Sequence, residues 1–484
     1  MPERRTWGSQ GFSGGLDSTT PSHRLEGDRS PDAENFDPSV DHVLKKRKGT
    51  NNFSGNHGSP TGTLVRGLCA YTYEDGTAKI VAKEGTAVND ITGASWATAI
   101  TGAVSLGDAD EVHFTMLRNL LIMTSEEASP IAPQKWTGSG NLAALGGSPP
   151  SAKYCCTHAG RAILACTSAD PSRLYYSAIN APEDWSTASD AGNFYVFPGD
   201  GMNINGIVSD GEVLYISKMA PGGYSGAIYA VFGTGPSTFT PPRRIAWFGA
   251  YGHRAMGLTN SFAVAATPIG IVALQGGNIN VIGEPVNGEW LALTDAQRAN
   301  ACIGRYQDQL WVGYTSTGSV NDKAFVMDIP TGRWSRYSNI NSRIFATSGA
   351  EVLYGASSSS TIRVAKMVTD NTDISSTAIT MYWTTPYLDF GNWMADKKCS
   401  MGWVHLKSQA ITWTITRSLD SAAYGSSTTK TGNTSGEAPV QRFLFDQADS
   451  FCRFVSVKIS EADTSLQGEA YGIGVEADVL ERKR

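Results

Sequence analysis

The chain has 484 residues, of which 39 are basic and 45 acidic, so its formal net charge is −6. This length exceeds one small core and predicts two or three domains, and the acidic balance excludes charge-driven nucleic-acid binding over the whole surface. The chain has no apolar run of the roughly 18 residues that a membrane helix needs, and its start lacks an apolar secretion segment. We therefore expect synthesis in the cytoplasm and no membrane insertion.

Residues 1–62 predict an extended N-terminal arm. The segment is rich in Gly, Ser, Asn, Asp and Pro, and its first 50 residues hold 8 basic and 8 acidic side chains. Such a composition buries too little apolar surface to fold alone. Phe12, Leu16, Leu25 and Phe36 are isolated apolar side chains suited to anchoring the arm. We therefore expect the arm to lie on a neighbouring subunit or on a connecting protein.

Basic residues at the end of the arm are candidates for contact with DNA or with a protein partner. The candidates are Lys45, Lys46, Arg47 and Lys48, together with Arg243 and Arg244 further along the chain. Contact with phosphate or with an acidic subunit is one interpretation. The other is an edge strand over residues 42–48 that its charges keep soluble.

Short apolar bursts recur through the middle of the chain and predict a β-propeller. The first two apolar residues of each burst are Ile80-Val81, Leu120-Leu121, Ile163-Leu164, Val213-Leu214, Ile271-Val272, Leu310-Trp311 and Val352-Leu353. Successive bursts lie 40, 43, 50, 58, 39 and 42 residues apart. Repeats of this length, each with several short strands, are typical of propeller blades. We expect about seven blades, with six to eight possible, and a ring closed by pairing strands from its two ends.

The composition changes again at residues 368–378, which predict a linker. Beyond it, residues 411–415 and 454–459 alternate apolar and polar side chains as half-buried strands do. The sequence therefore predicts an all-β protein with a propeller over 63–370 and a jelly-roll-like β-sandwich over 371–484.

The residues present no linear motif for chemistry. The seven cysteines and seven histidines lack metal-ligand spacing, and the cysteines are expected to be reduced and buried. A propeller hydrolase needs paired carboxylates, often with arginines that grip an acidic substrate, converging on the central channel. No such constellation is visible along the sequence. It therefore predicts no catalytic, cofactor-binding or metal-binding residue, no cofactor and no enzymatic activity.

Three parts of the chain resemble tail nozzle, or packaged-DNA stabilisation, proteins of short-tailed bacteriophages. The first is the arm segment GFSGGLDSTTPSHRLEGDRSPDAENFDPSVDHVLKKRKG. The other two are the propeller and sandwich motifs Leu174–Ser177, Pro182–Trp185, Gly199–Gly201, Ile204–Ile207, Tyr387–Gly391, Lys397-Lys398 and Gly472–Glu476.

The resemblance implies a structural virion protein of the tail. It would form a ring, most simply a hexamer, below the portal and adaptor, bind tail fibres or spikes, retain packaged double-stranded DNA and conduct it at ejection. Two alternatives remain open. One is a propeller of the tail that binds the host surface or attaches fibres, and the other is a carbohydrate-active propeller enzyme.

Overall fold

The computed structural model describes residues 3–9, 11–54, 64–96, 98–223, 225–349, 351–358, 361–420, 422–425, 427–432, 440–445 and 451–480. Strands dominate, as the abundance of β-branched, aromatic and Gly residues predicts. Among these residues no helix has the length and apolar content needed to cross a membrane. All seven cysteines are free thiols and none is exposed.

The arm contributes six short strands. They are β1 (Glu3–Ser9), β2 (Gly15–Leu16), β3 (Arg29–Ser30), β4 (Ala33–Glu34), β5 (Leu44–Lys45) and β6 (Thr50–Asn52). Only β2 and β3 pair with each other, and the rest pair with strands from later parts of the chain. A 3-10 turn at Ser22–Arg24 lies between β2 and β3.

Seven four-stranded antiparallel sheets follow, six of them built from consecutive strands. The first three blades are β7 (Val65–Thr72), β8 (Ala78–Glu84), β9 (Ala87–Asp90) and β10 (Thr98–Ala99); β11 (Val112–Leu117), β12 (Leu120–Ser125), β13 (Gln134–Trp136) and β14 (Ala143–Ala144); and β15 (Ala152–His158), β16 (Arg161–Thr167), β17 (Arg173–Tyr176) and β18 (Gly192–Tyr195). The next three are β19 (Asn203–Ser209), β20 (Val213–Met219), β21 (Gly226–Phe232) and β22 (Arg243–Ala246); β23 (Met256–Leu258), β24 (Ala263–Thr267), β25 (Gly270–Gln275) and β26 (Asn278–Val281); and β27 (Cys302–Tyr306), β28 (Gln309–Tyr314), β29 (Lys323–Asp328) and β30 (Arg333–Ser338).

The seventh blade closes the ring. It consists of β31 (Ser342–Ser348), β32 (Glu351–Ser358), β33 (Thr361–Met367) and, as its fourth strand, β6 from the arm. The register pairs Ala365 with Asn52 and Met367 with Thr50. The first strands of successive blades pack side by side, and β31 packs against β7. The predicted seven-bladed propeller and its closure by strands from both ends are therefore confirmed.

The position of one burst explains the uneven spacing along the sequence. Six bursts lie on the second strand of a blade, whereas Ile271 and Val272 lie on the third strand of the fifth blade. The second strand of that blade is AVAAT, whose alanines hide its apolar character. Counting Val264 instead makes the neighbouring spacings nearly equal. The long interval therefore reflects composition and not an inserted element.

Short helices occupy the connection between the fifth and sixth blades. They are α1 (Asn287–Trp290) and α2 (Asp295–Arg298), the second of which begins at a Thr294 capping box. The remaining 3-10 turns are Thr187–Ser189, His253–Ala255, Glu284–Val286 and Ile374–Ser376.

A β-sandwich follows the propeller. After a small hairpin of β34 (Thr372–Asp373) and β35 (Thr377–Ala378), its strands are β36 (Met381–Thr384), β37 (Asp396–Leu406), β38 (Thr412–Leu419), β39 (Ser427–Thr431), β40 (Val440–Leu444), β41 (Phe451–Cys452), β42 (Val455–Glu461) and β43 (Glu469–Leu480). One sheet has the order β1-β43-β37-β40, with β41 beside β37 and β5 beside β43. The other has the order β39-β38-β42-β36-β4. The arm therefore supplies strands to both sheets.

The arm packs on its own chain, which corrects the prediction that it needs a neighbouring subunit. Phe12, Leu16 and Phe36 are buried, and Leu25 is half-buried. The rings of Phe12 and Phe36 meet the indole of Trp383 edge-on, with centroids 5.2 and 5.4 Å away. These contacts join one core that runs from the fifth and sixth blades through the arm into the sandwich.

Two of the candidate basic residues are buried, so their predicted partner contact is corrected. Lys46 lies 3.1 Å from a carboxylate oxygen of Glu461, and Arg47 holds both oxygens of Asp373. Removing such cations from water is favourable only because each has an opposite charge at hand. They fasten the arm to the sandwich and to the hairpin of β34 and β35.

The other four basic candidates are half-buried or exposed. They are Lys45, which lies 3.4 Å from Glu469, and Lys48, Arg243 and Arg244. Their predicted role in partner or DNA contact stays a prediction.

We expect Phe36→Ala to lower the free energy of unfolding by about 3–5 kcal/mol, because it empties a buried site against Trp383. Phe451→Ala is the matched control, since that ring is 65% exposed and its loss should change stability by less than about 0.5 kcal/mol. Urea denaturation followed by tryptophan fluorescence measures both. Equal effects of the two changes would show that the arm is not part of the core.

Candidate functional site

Charged side chains gather at one end of the central channel. Strands alternate in direction within a blade, so the start of the first strand and the end of the second lie at the same face of the ring. We call this the entry face. Arg66 and Arg343 lie at the starts of β7 and β31, Glu111 directly precedes β11, and Arg254 lies in the 3-10 turn before β23. Four blades therefore bring one carboxylate and three guanidinium groups to the axis.

Glu111 is the centre of this arginine cluster, which we define as Glu111, Arg66, Arg254 and Arg343. Its Oε1 accepts hydrogen bonds from Arg66 Nη1 and Arg343 Nε, both at 3.0 Å. Arg254 Nε lies 3.7 Å from the other oxygen, Oε2. Burial alone would raise the pKa of Glu111, but Arg254, Arg343 and Arg66 outweigh it and hold that pKa below its usual value. Glu111 is therefore an ionised, buried carboxylate.

The arginine cluster has unused hydrogen-bonding capacity. Neither Glu111 Oε2 nor Arg66 Nε has a hydrogen-bond partner among the described residues, although both atoms are buried. Buried polar atoms are normally satisfied, so these two atoms are suited to a ligand that both donates and accepts.

Two histidines adjoin the cluster. His113 Nε2 lies 2.6 Å from Glu126 Oε1, and the centroids of the His113 and His253 rings are 4.4 Å apart. The backbone N–H of Ile207 donates to His253 Nδ1 at 3.2 Å. Burial and the neighbouring His113 lower the pKa of His253 well below its usual value, so the ring is neutral. The sequence places these histidines in different blades, so no spacing rule finds them.

Glu127, a second carboxyl group at the entry face, has a raised pKa, whereas the pKa of Glu111 is lowered. Burial raises the pKa of Glu127, and Asp110, which is close enough to share a proton with it, raises that pKa further. We call Asp110 and Glu127 the acid pair. Lys83 packs beside it and donates to the backbone oxygens of Gly107 and Asp110 at 2.9 and 2.8 Å. Burial lowers the pKa of Lys83 to about 8.

The environment of Glu126 contrasts with that of Glu127. Burial would raise the pKa of Glu126, but the hydrogen bond and charge of His113 lower it overall. The pKa values of two adjacent carboxyls are therefore moved in opposite directions, that of Glu126 downwards and that of Glu127 upwards. Pairs whose environments separate their pKa values in this way are typical of acid and base catalysis.

These groups correct the prediction that the chain lacks a carboxylate and histidine constellation. The structure places Glu126 close enough to Arg254 of the arginine cluster for that charge to lower its pKa, and Glu127 follows it directly in the chain. One signal was present in the sequence. The acidic pairs Asp110-Glu111 and Glu126-Glu127 bracket the hairpin of β11 and β12, and the N–H of Glu126 donates to the oxygen of Glu111 at 2.9 Å. Folding of one hairpin therefore brings the two acidic pairs to the same end of that hairpin.

An open cavity of about 330 Å³ lies elsewhere, between the arm and the fifth blade, and its lining includes Asp17, Thr20 and Glu284. The carboxylate of Asp17 is occupied by the backbone N–H groups of Thr19 and Thr20 at 3.1 and 2.9 Å. It therefore stabilises a turn. Among the described residues, no group of three or more His, Cys, Asp or Glu side chains is arranged to hold a metal ion.

Neither a protein-family model nor a curated protein matches this sequence. Several solved structures match it. An exo-beta-1,3-galactanase from Phanerochaete chrysosporium is 9% identical over 85% of this chain and 100% of that chain, with a TM-score of 0.28. A glycoside hydrolase family 43 arabinoxylan arabinofuranohydrolase from Bacillus subtilis is 11% identical over 89% and 99%, with a TM-score of 0.26. AztD from Citrobacter koseri is 12% identical over 62% and 90%, with a TM-score of 0.30.

The matched structures include glycoside hydrolases, whereas the sequence predicts a structural virion function and no enzymatic activity; these two predictions are corrected to that extent and are not carried further. No residue role or substrate is transferred from them, since the identities and TM-scores are too low. The predicted hexamer, connector and fibre partners, passage of packaged DNA and virion location stay predictions.

We expect Glu111→Gln to lower the free energy of unfolding by about 3 kcal/mol, because three arginines would lose their shared carboxylate. Glu74→Gln is the matched control, since Glu74 and its partner Arg118 are largely exposed and their pair contributes less than about 1 kcal/mol. Urea denaturation at neutral pH measures both. A loss below 1 kcal/mol in the Glu111 variant would contradict the assigned role of the carboxylate.

We also expect stability to fall as the pH drops from 7 to about 5, since the unfolded chain binds a proton at His253 below about pH 6.5 whereas the folded chain does not. The contribution of a lowered histidine pKa is present above the unfolded value and lost below it. His253→Gln should flatten this slope, and His23→Gln, at an exposed site, should leave it unchanged. Denaturation midpoints at several pH values test this, and identical slopes in all three proteins would contradict it.

Proposed function

We propose that the protein is a carbohydrate-active β-propeller that cleaves a glycosidic bond in an anionic glycan at the entry face of its channel. The observation that supports this proposal is that two adjacent carboxyls, whose pKa values move in opposite directions, lie at the same end of one hairpin as a carboxylate that three arginines surround. The composition of the site matches the needs of glycoside hydrolysis.

The arginine cluster supplies substrate binding. A sugar carboxylate complements the guanidinium groups of the cluster and can accept from Arg66 Nε, which has no hydrogen-bond partner among the described residues. A sugar hydroxyl can donate to Glu111 Oε2, which likewise has none. A ligand with both groups satisfies two buried polar atoms at once, and each such bond to a charged group contributes about 1.5–3 kcal/mol.

The acid pair and Glu126 supply the chemistry. The carboxyl of Glu127 donates its proton to the glycosidic oxygen as the bond from that oxygen to the anomeric carbon breaks. Glu126, beside His113, takes a proton from the water that adds to the anomeric carbon. The products are two sugars, one with a new reducing end, and transfer of the proton on Glu126 back to Glu127 through solvent restores the enzyme.

We expect the purified protein to release reducing ends from at least one acidic polysaccharide in a panel that includes polygalacturonate, alginate and hyaluronan, with neutral glucans beside them. Glu127→Gln should lower kcat by about 100- to 10,000-fold because it removes the proton donor. Activity of the unchanged protein should also fall as the pH rises through the pKa of the acid pair.

Glu74→Gln is the control and should keep full activity, because Glu74 lies on the exposed surface. Circular dichroism of each variant separates loss of chemistry from loss of fold. Turnover of none of the polysaccharides, or full activity in the Glu127 variant, would contradict the proposal.

A further inference from the structure

Two cysteines of the β-sandwich are in contact at the edge of one sheet. Cys452 ends β41, and the register pairs it with Lys397 of β37. Cys399 lies two residues beyond Lys397 on the same side of β37, and both cysteines are 2% exposed within the core. The Cys399 thiol donates a hydrogen bond to the sulfur of Cys452. Two thiols that lie far apart in the sequence therefore form one pair.

Two buried cations adjoin this thiol pair, which we define as Cys399 and Cys452. Lys397 Nζ donates to the carbonyl oxygen of Arg453, the residue after Cys452, at 2.8 Å. Arg417 Nη1 donates to the carbonyl oxygen of Cys399 at 3.2 Å. Positive charge beside a thiol favours the thiolate, which is the form that reacts.

These surroundings distinguish Cys452 from the other six cysteines. The hydrogen bond from Cys399 lowers the pKa of Cys452 and raises the pKa of Cys399. Burial and the charge of Asp420 oppose the first of these shifts, whereas Lys397 and Arg417 add to it. Burial raises the pKa of the remaining five thiols, which are Cys69, Cys155, Cys156, Cys166 and Cys302. Cys452 is therefore the thiol best suited to attack an oxidant.

The strand that carries Cys452 is suited to local opening. β41 has two residues and, among the described strands, pairs with β37 alone. Phe451 is 65% exposed and Arg453 is also exposed, so Cys452 is buried between two neighbours that face solvent. Opening so short an edge strand breaks few contacts. A small reagent can therefore reach Cys452 while the rest of the sandwich stays folded.

The short strand also permits a bond between the two sulfurs. Diagonal neighbours on paired strands have Cα atoms about 7–8 Å apart, whereas a disulfide needs about 4.4–6.8 Å, so β41 must move by about 1–2 Å. A two-residue edge strand can make this movement without disturbing the hydrogen bonds between β37 and β43.

We propose that the thiol pair is an oxidation site, in which Cys452 reacts with a low-molecular-weight disulfide and Cys399 converts the product into a disulfide that fixes β41 to β37. This inference does not rest on the proposed glycan cleavage.

The reaction has two balanced steps. The Cys452 thiolate attacks one sulfur of the small disulfide, whose S–S bond breaks and releases one small thiolate. Cys399 then loses its proton and attacks the sulfur of Cys452, which releases the second small thiolate. The two protons lost by the cysteines are taken up by the two released thiolates, so the protein is oxidised and the small disulfide is reduced.

The test exposes the folded, full-length protein to excess oxidised glutathione, blocks the remaining thiols with N-ethylmaleimide and maps disulfides by mass spectrometry of a non-reduced digest. We expect one link, between Cys399 and Cys452, with a mass loss of about 2 Da that dithiothreitol reverses. Retention of all seven thiols, a link between any other two cysteines, or a link that forms only in urea would overturn the inference.

Variants test the order of attack. Cys399→Ser should retain glutathione on Cys452 as a mixed disulfide, because the second thiol is missing, and Cys452→Ser should leave Cys399 unmodified. Cys166→Ser is the matched control, since Cys166 is also buried, and should form the link normally. Circular dichroism confirms that each variant is folded. Glutathione on Cys399 in the Cys452 variant, or none on Cys452 in the Cys399 variant, would contradict the assigned order.

Trypsin tests whether the link fixes the strand. Cleavage after Arg453 should slow by about tenfold in the oxidised protein, because proteolysis follows the population of the open strand. Cleavage after Arg24, at an exposed turn of the arm, is the control and should not change. Equal cleavage after Arg453 in the two forms would show that the disulfide does not hold β41.

Discussion

The fold depends on one pairing, that of Thr50–Asn52 with the third strand of the seventh blade. A blade exposes two apolar faces and is stable only when both are covered, so an open ring would leave its first and last blades half-covered. The arm strand joins the start of the chain to the end of the repeats and removes that gap. The same segment carries Lys46 and Arg47, whose buried ion pairs connect the closed ring to the sandwich and to the intervening hairpin.

Ring closure also determines where charge collects. The first strands of all seven blades face the axis, so any polar residue at the start of such a strand meets residues of other blades. Arg66, Glu111 and Arg343 meet in this way although they lie far apart in the sequence. Their low-dielectric surroundings strengthen each interaction and penalise any group left unpaired. The residues at the axis therefore join the blades, and a small polar ligand bound there would satisfy polar groups that are otherwise unpaired.

The sequence identified the anchor residues of the arm correctly but predicted the wrong surface for them to pack on. Its isolated apolar residues are anchors, as their spacing indicates, but Phe12 and Phe36 pack on Trp383 of the same chain. Nothing in a segment of low apolar content specifies which surface will cover it, because the anchors suit any apolar groove of matching shape. The basic residues after the arm show the same limit, since Lys46 and Arg47 satisfy acidic partners within the chain.

The sequence by itself determined the all-β class, a propeller of about seven blades and a sandwich after it, because strand period and burst spacing are local properties of the chain. It missed the second strand of the fifth blade, where alanines replace larger apolar residues. Only the tertiary structure decided the candidate site. The acidic pairs around the β11–β12 hairpin are visible locally, but their pKa values depend on Arg254, Arg343 and His113, which reach them from other strands or other blades. Electrostatic interactions depend on the distances between groups in the folded protein, so the order of residues along the chain does not reveal these pKa shifts.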